Sequence, residues 1–316
     1  MGGNVWDAEH ALDADGAREL LAAQFPALAL DSVVELAYGF DNTVFVVDGT
    51  WAVRFPRRQM GADLFDKEIR LLPALAGVLP VAVPVPELVG RPHGEYPWPF
   101  WGGRLLPGVE VPDARLPEDG RDRLAADIGA FLQQLHDPRL AEQHGAGLPH
   151  DPMRRTTPSS RGPIGRQSLD RLARHGQWHA GSDLDRAFDA LLAEGAGLGP
   201  PTGAEVLVHG DLHLRHVLVD PAGAPTGVID WGDACLADPV LDLAFGYGAL
   251  SGPARDVFFT AYGTAPDAER ELRGRVLAAC LGAVLAEYAV TESRPLLLTE
   301  SLASIGRALD NDPEAA

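Results

Sequence analysis

Two aspartates and a histidine, Asp211, Asp230 and His216, have the types and spacing in this chain that point most directly to chemistry. Each acid follows a short apolar, strand-like run, Val206–Val208 before Asp211 and Thr226–Ile229 before Asp230. His216 stands five positions after the first acid. Phosphoryl transfer asks for such a set: a carboxylate to orient the attacking hydroxyl, and ligands to hold Mg2+ on the phosphates. The transition state is loose, so orientation matters more than base strength. Asp211 is read as the acid that accepts a hydrogen bond from the hydroxyl and takes its proton late. Asp230 and His216 are read as metal ligands. Imidazole nitrogen is softer than the oxygen donors Mg2+ prefers, which predicts some tolerance of Mn2+. His209 and His213 are expected to brace the loop backbone, with Asp238 and Asp242 as a helix cap and a buried anchor.

A second constellation lies upstream. In Trp51-Ala-Val-Arg54, alternation places Trp51, Val53 and Phe55 on one face and Ala52 with Arg54 on the other. A small residue two positions before a cation suits a nucleotide, with Ala52 over the purine and Arg54 at the phosphates. Protein kinases use V-A-I-K there, but the only lysine, Lys67, sits in the following helical segment. Glu68 is expected to pair with Arg54. Gly39-Phe-Asp-Asn42-Thr precedes the hairpin and could fold over the triphosphate, while a plain strand connector accounts for it equally well.

The elements that must position these groups are legible in outline. Asp13–Ala23 and Gly61–Leu75 have helical apolar spacing. Val33–Leu36, Thr43–Val47 and Trp51–Phe55 read as strands, the last two joined at Asp48-Gly49, a dipeptide suited to a tight hairpin. Another strand is expected around 86–90. Beyond Gly108 the pattern turns helical at 124–135, 184–192, 240–250, 271–290 and 296–309, with Val217–Val219 and Gly227–Ile229 extended. His144–Arg166, polar and rich in Gly, Pro and Arg, reads as a mobile excursion. The expected class is α+β, with a small β-rich lobe over 1–104 and a larger, mainly helical lobe over 105–316.

Composition narrows the partners. The 316 residues carry a formal charge of −19, which argues against nucleic acid and suits a cationic small molecule. Cys235 and Cys280 make neither a disulfide framework nor a zinc cluster, and a reducing cytoplasm is the simplest setting. The acidic start lacks signal-peptide character. Val276–Ala286 is too short to span a bilayer and reads as a buried helix, so no membrane partner is expected.

The quoted motifs resemble those of the aminoglycoside phosphotransferase family, antibiotic kinases with a protein-kinase-like bilobal fold. The likeness runs from Gly39-Phe-Asp-Asn-Thr through Arg54, Glu68, Leu105-Leu-Pro-Gly108 and Leu132-Gln-Gln-Leu-His136 to residues 209–246. His216 in place of Asn, with Trp231 after the second acid, looks like the macrolide phosphotransferases. Asp238-Pro-Val-Leu-Asp242 looks equally like the aminoglycoside-type group, and Leu214-Arg215 departs from the usual Pro-Gly. The resemblance implies ATP or GTP as donor, Mg2+, an antibiotic hydroxyl as acceptor, and purine recognition by the backbone around Arg104 to Leu106. Asp233, Glu287 and Glu292 are named from position as groups that could meet a cationic acceptor. A kinase for an amino alcohol or sugar, and a nucleotide-binding pseudokinase, stay open as alternatives.

Overall fold

The structure is a computed structural model and describes residues 9–38 and 41–309. Gly39, expected in the triphosphate loop, lies outside the described residues. The chain divides into two units, Met1–Leu106 and Pro107–Ala316.

The first unit holds α1 (Ala14–Gln24), β1 (Val33–Tyr38), β2 (Asn42–Val47), β3 (Trp51–Pro56), α2 (Gln59–Ala76), β4 (Leu88–Gly90) and β5 (Phe100–Arg104). Its antiparallel sheet has the order β1-β2-β3-β5-β4. Asp48 and Gly49 take φ of +50° and +59° at the β2–β3 turn, as an Asp-Gly hairpin requires. Phe45, Val47, Val53, Phe55 and Phe100 fill one face of the sheet with Leu20 and Leu21 of α1. Asp13 caps α1 by accepting from the Gly16 amide at 2.9 Å.

The second unit opens with β6 (Val109–Glu110), α3 (Val111–Ala114), a 3-10 turn at Glu118–Gly120, α4 (Asp122–Leu135) and α5 (Pro138–His144). Next come α6 (Pro158–Arg174), α7 (Asp183–Gly195), β7 (Val206–Val208), β8 (Val217–Val219), β9 (Pro225–Val228) and a 3-10 turn at Trp231–Asp233. The chain then forms β10 (Cys235–Ala237), α8 (Val240–Ala249), α9 (Gly252–Tyr262), α10 (Ala268–Thr291) and α11 (Pro295–Leu309). β7 pairs with β10, and β6-β8-β9 form a small antiparallel sheet. The core gathers around α10, with side chains from α6, α7, α8 and α11.

Two sequence readings need correction. Much of the expected excursion at 144–166 is ordered, because α6 begins at Pro158 and runs 17 residues. Its buried positions include Gly162, Gly165 and Ser168, so no broad apolar stripe betrays the helix. Its contact with α10 is backbone-close: a Cβ on Gly165 would lie 2.8 Å from the Cys280 sulfur. The apolar run near Val276 belongs to a helix of 24 residues, longer than read from the sequence. That helix is long and apolar enough to cross a membrane, yet 67% of its most apolar window is buried inside the protein.

Candidate active site

In the first unit, strand register places several of the expected residues on one face of the sheet. Val34 pairs with Val46, Val46 with Ala52 and Ala52 with Gly103, so the four form one row on the sheet face opposite the Phe45–Phe55 core. Val34 and Leu36 are exposed apolar side chains on β1. Arg54 shares this face. Its Nη1 donates to Glu68 Oε1 at 2.7 Å, with the Glu68 side chain fully buried and that of Arg54 13% exposed. The expected pair therefore forms, and as a buried one. Asn42 joins it: with its amide oriented to satisfy both neighbours, the side-chain oxygen accepts from Arg54 Nη2 at 3.1 Å.

Trp101, absent from the sequence reading, completes the group. Its indole donates to Glu68 Oε2 at 2.9 Å, and the Arg54 guanidinium lies 5.2 Å from its ring centroid. The only hint in the sequence was an aromatic residue in a Gly-rich strand. Arg104 ends β5 with its side chain over the Trp51 ring at 3.9 Å. Leu106 is the last residue of the unit, and neighbouring Leu105 donates its amide to the Thr50 carbonyl at 2.8 Å.

In the second unit, two strand ends deliver the acids. β7 leads into Asp211, and β9 leads through Ile229 into Asp230. The β8–β9 hairpin pairs Val217 with Val228, and the Ile229 amide donates to the His216 carbonyl at 2.9 Å. His216 is thereby held beside Asp230. Asp230 itself takes φ +66°, a left-handed conformation that costs a non-glycine residue of order 1 kcal/mol or more and persists only where its surroundings fix it.

Backbone partners set the tautomers of the three histidines. The His209 Nδ1 accepts from the Asp211 amide at 3.3 Å, and its Nε2–H donates to the Ile229 carbonyl at 2.9 Å. The Arg215 amide donates to His213 Nδ1 at 3.2 Å, leaving the proton on Nε2, 3.6 Å from Asp211 Oδ2. His216 Nδ1–H donates to the Asp211 carbonyl at 2.8 Å, which leaves the Nε2 lone pair 3.4 Å from Asp230 Oδ2. Burial holds His209 and His213 below the ordinary imidazole value of 6.5, and His213, where the Arg215 charge adds to burial, lies well below it. Both stay neutral, as the bracing role requires.

Asp242, with its side chain fully buried, accepts from the His209 amide at 2.7 Å and the Gly210 amide at 3.0 Å. It also meets His136 Nε2 at 3.2 Å. This carboxylate is the loop's anchor. Asp238, one residue before the Pro239 N-cap of α8, accepts from the Val240 amide at 2.9 Å and pairs with Arg270 at 3.1 Å.

The acids expected to face a cationic acceptor all have protein partners. Asp233 Oδ2 accepts from Arg155 Nη2 at 3.0 Å. Glu287 accepts from Arg171 Nη2 at 2.8 Å. Burial alone would raise the Glu287 carboxyl, but hydrogen bonds from Arg171 and Ser168, with the Arg171 charge, bring it below its ordinary value. Glu292 ends α10, its amide donating to the Tyr288 carbonyl at 2.9 Å. Within the second unit, then, Asp211, His216 and Asp230 come together, whereas Glu287 is engaged in a separate ion pair.

The donor set fits a divalent cation. A lone-pair nitrogen and a carboxylate oxygen at 3.4 Å repel unless positive charge lies between them, and Mg2+ or Mn2+ commonly takes one or two protein ligands alongside substrate phosphates.

Comparison with known proteins gives the family. Residues 32–274 match the family described as "Phosphotransferase enzyme family". Viomycin phosphotransferase of Streptomyces vinaceus is 29% identical over 233 residues, covering 72% of this chain and 76% of that protein. The uncharacterized protein YcbJ of Bacillus subtilis (strain 168) is 28% identical over 221 residues, and the aligned part spans 64% of each. Among solved structures, an APH(2") enzyme in complex with GDP and kanamycin superposes with TM-score 0.65 at 25% identity, covering 92% of this chain and 97% of that one. Macrolide 2'-phosphotransferase MphH from Brachybacterium faecium gives 0.58 at 25%, covering 93% and 97%. These superpositions meet the expectation of a protein-kinase-like α+β fold. The family match begins just before β1 and runs into α10, taking in Arg54, Glu68 and both acid-bearing loops, and the chain belongs to the phosphotransferase enzyme family.

Proposed function

We propose that this chain is a nucleoside-triphosphate-dependent O-phosphotransferase that phosphorylates a hydroxyl of a small-molecule antibiotic. The observation that carries the reading is the fixed trio in the second unit: His216 is tied through Nδ1 to the Asp211 carbonyl and turns its Nε2 to Asp230. Asp211 orients the acceptor hydroxyl. The acceptor oxygen forms a bond to the γ-phosphorus, the bond from that phosphorus to the β-phosphate oxygen breaks, and the hydroxyl proton passes to Asp211 late in the step. His216 and Asp230 would hold the divalent cation, which when bound offsets charge on the phosphate oxygens. In the first unit, Arg54, set by Glu68, Asn42 and Trp101, would engage the phosphates of ATP or GTP. Ala52 would lie against the purine, and the backbone from Arg104 to Leu106 would read its edge. Gly39, by its place in the sequence, belongs to the loop that would cover the triphosphate.

One feature bears on the acceptor. Asp233 and Glu287 are each held by an arginine, so a cationic acceptor would have to compete with Arg155 and Arg171 for them. Viomycin phosphotransferase and the APH(2") enzyme solved with GDP and kanamycin keep those acceptor and donor classes in the test.

The test is a phosphorylation screen of macrolides, aminoglycosides and cyclic-peptide antibiotics, with ATP and GTP side by side and with Asp211→Ala as control. The expected result is transfer to one class, with kcat lowered about 1,000-fold in the variant and nucleotide affinity kept. An equally active variant would mean that another carboxylate orients the hydroxyl. Turnover confined to amino alcohols or sugars would replace the antibiotic reading with a metabolite kinase.

A further inference from the structure

We propose that Arg155 is a positioning residue for phosphoryl transfer, clamping the loop that carries Asp211 to the loop that carries Asp230. The inference rests on the reading of Asp211 as the acid that orients the hydroxyl. Arg155 precedes α6, in the stretch whose sequence suggested only mobility. Its Nη1 donates to the Gly210 carbonyl at 2.8 Å and lies 3.7 Å from Asp211 Oδ1, while Nη2 donates to Asp233 Oδ2 at 3.0 Å. One planar group thus holds the peptide entering Asp211 and the residue that closes the turn after Asp230, a task suited to a forked donor and poorly suited to a point charge. The two backbones meet closely here: Gly210 takes φ +87°, and a Cβ on it would lie 2.2 Å from the Asp233 carbonyl oxygen.

The way Arg155 is presented separates it from an incidental ion pair. Asp151 accepts from the Arg155 amide at 2.7 Å and from the Thr156 amide at 2.9 Å. The Thr156 carbonyl in turn accepts from Arg273, itself buried, at 2.9 Å. Asp151 and Arg154 both adopt positive φ, +32° and +48°, conformations a non-glycine residue holds only where its surroundings impose them. Burial would lower the Arg155 pKa, but the charges of Asp211 and Asp233 raise it, so the guanidinium stays charged. The Arg155 guanidinium lies 3.7 Å from one oxygen of Asp211, and His213 Nε2 lies 3.6 Å from the other.

The experiment compares Arg155→Met and Arg155→Lys with the parent, using the acceptor that turns over in the screen above. It reads kcat, the KM for nucleotide, binding of a fluorescent nucleotide and the melting temperature. Arg155→Met is expected to lower kcat about 100-fold, the scale of a misplaced reacting group. Nucleotide binding should stay within about twofold of the parent. Arg155→Lys, and guanidinium ion added to the Met variant, should each recover part of the loss. A parent-like kcat in Arg155→Met overturns the proposal, as does a loss that neither lysine nor guanidinium recovers while nucleotide binding is intact. If the Met variant does not fold, Arg155→Lys decides: a several-fold lower kcat supports the clamp, and a parent-like kcat overturns it. A parent that transfers phosphate to no acceptor defeats the phosphotransferase reading itself, whereas an active parent matched by its variants defeats only the role of Arg155.

Discussion

His216 turns one nitrogen to the backbone of its own loop and the other to Asp230, so its ring orientation is set by the protein itself. An asparagine there would offer an amide oxygen, harder than imidazole and better matched to Mg2+. We therefore expect His216→Asn to lower the ratio of Mn2+-supported to Mg2+-supported turnover by several fold. Titrating each metal into parent and variant checks this, and identical metal profiles would remove any special role for the imidazole. The Arg54–Glu68 ion pair belongs to the same scale. The sequence reading paired Arg54 with Glu68; that Glu68 is buried and shared with Trp101 is visible only in the structure.

At the scale of elements, α8 holds the loop that carries Asp211 in place. Asp242 lies in its first turn, fully buried, and receives two consecutive amides from the end of β7. Hydrogen bonds to a charged acceptor contribute about 1.5–3 kcal/mol each, and removing the acceptor leaves both donors unpaired. Asp242→Ala should therefore destabilise the second unit by about 3 kcal/mol or more, measured by urea unfolding. Loss of protection at the His209 and Gly210 amides in hydrogen exchange would mark the cause. An unfolding midpoint equal to the parent's would show that the loop is held by other contacts. The Asp238–Asp242 helix start was legible because an acid before an apolar run suggests a cap. α6 was not legible, because Gly162, Gly165 and Ser168 occupy buried positions in its first turns and only Leu169 and Leu172 supply large apolar side chains to its buried face.

At the scale of the whole molecule, acid sensitivity follows from groups whose folded pKa values lie below their unfolded ones. His209 and His213 are depressed from 6.5 mainly by burial. At Glu118, burial opposes the shift, but hydrogen bonds from Arg307 and Ser251 and the Arg307 charge lower it from 4.5. At Asp185, burial again opposes, and the Gly181 amide, the Trp178 indole and Arg166 lower it from 3.8. In each case the unfolded chain binds more protons once the pH drops below the unfolded value, so stability is full above it and is lost as pH falls. The melting temperature should hold above about pH 6.5, decline below it as the histidines charge, and fall more steeply below about pH 4.5. Asp185→Asn should flatten part of the steep limb. A melting temperature unchanged from pH 7 to 4 would contradict these shifts.

By itself the sequence determined the chemical vocabulary. The acids at the ends of β7 and β9, the histidine five residues after the first acid, the Asp-Gly hairpin and the helical apolar spacing are local patterns, written in neighbouring residues. The fold class and family follow from such patterns because each element's period and caps are set within a few residues. Which partner each charge takes was decided only in three dimensions. Trp101 on Glu68, Arg155 on Gly210 and Asp233, Asp242 beneath the loop and Arg171 on Glu287 join residues far apart in the chain. Such contacts depend on how elements pack, and a long charged side chain gives no sign in the sequence of whether it will face solvent or a buried acid.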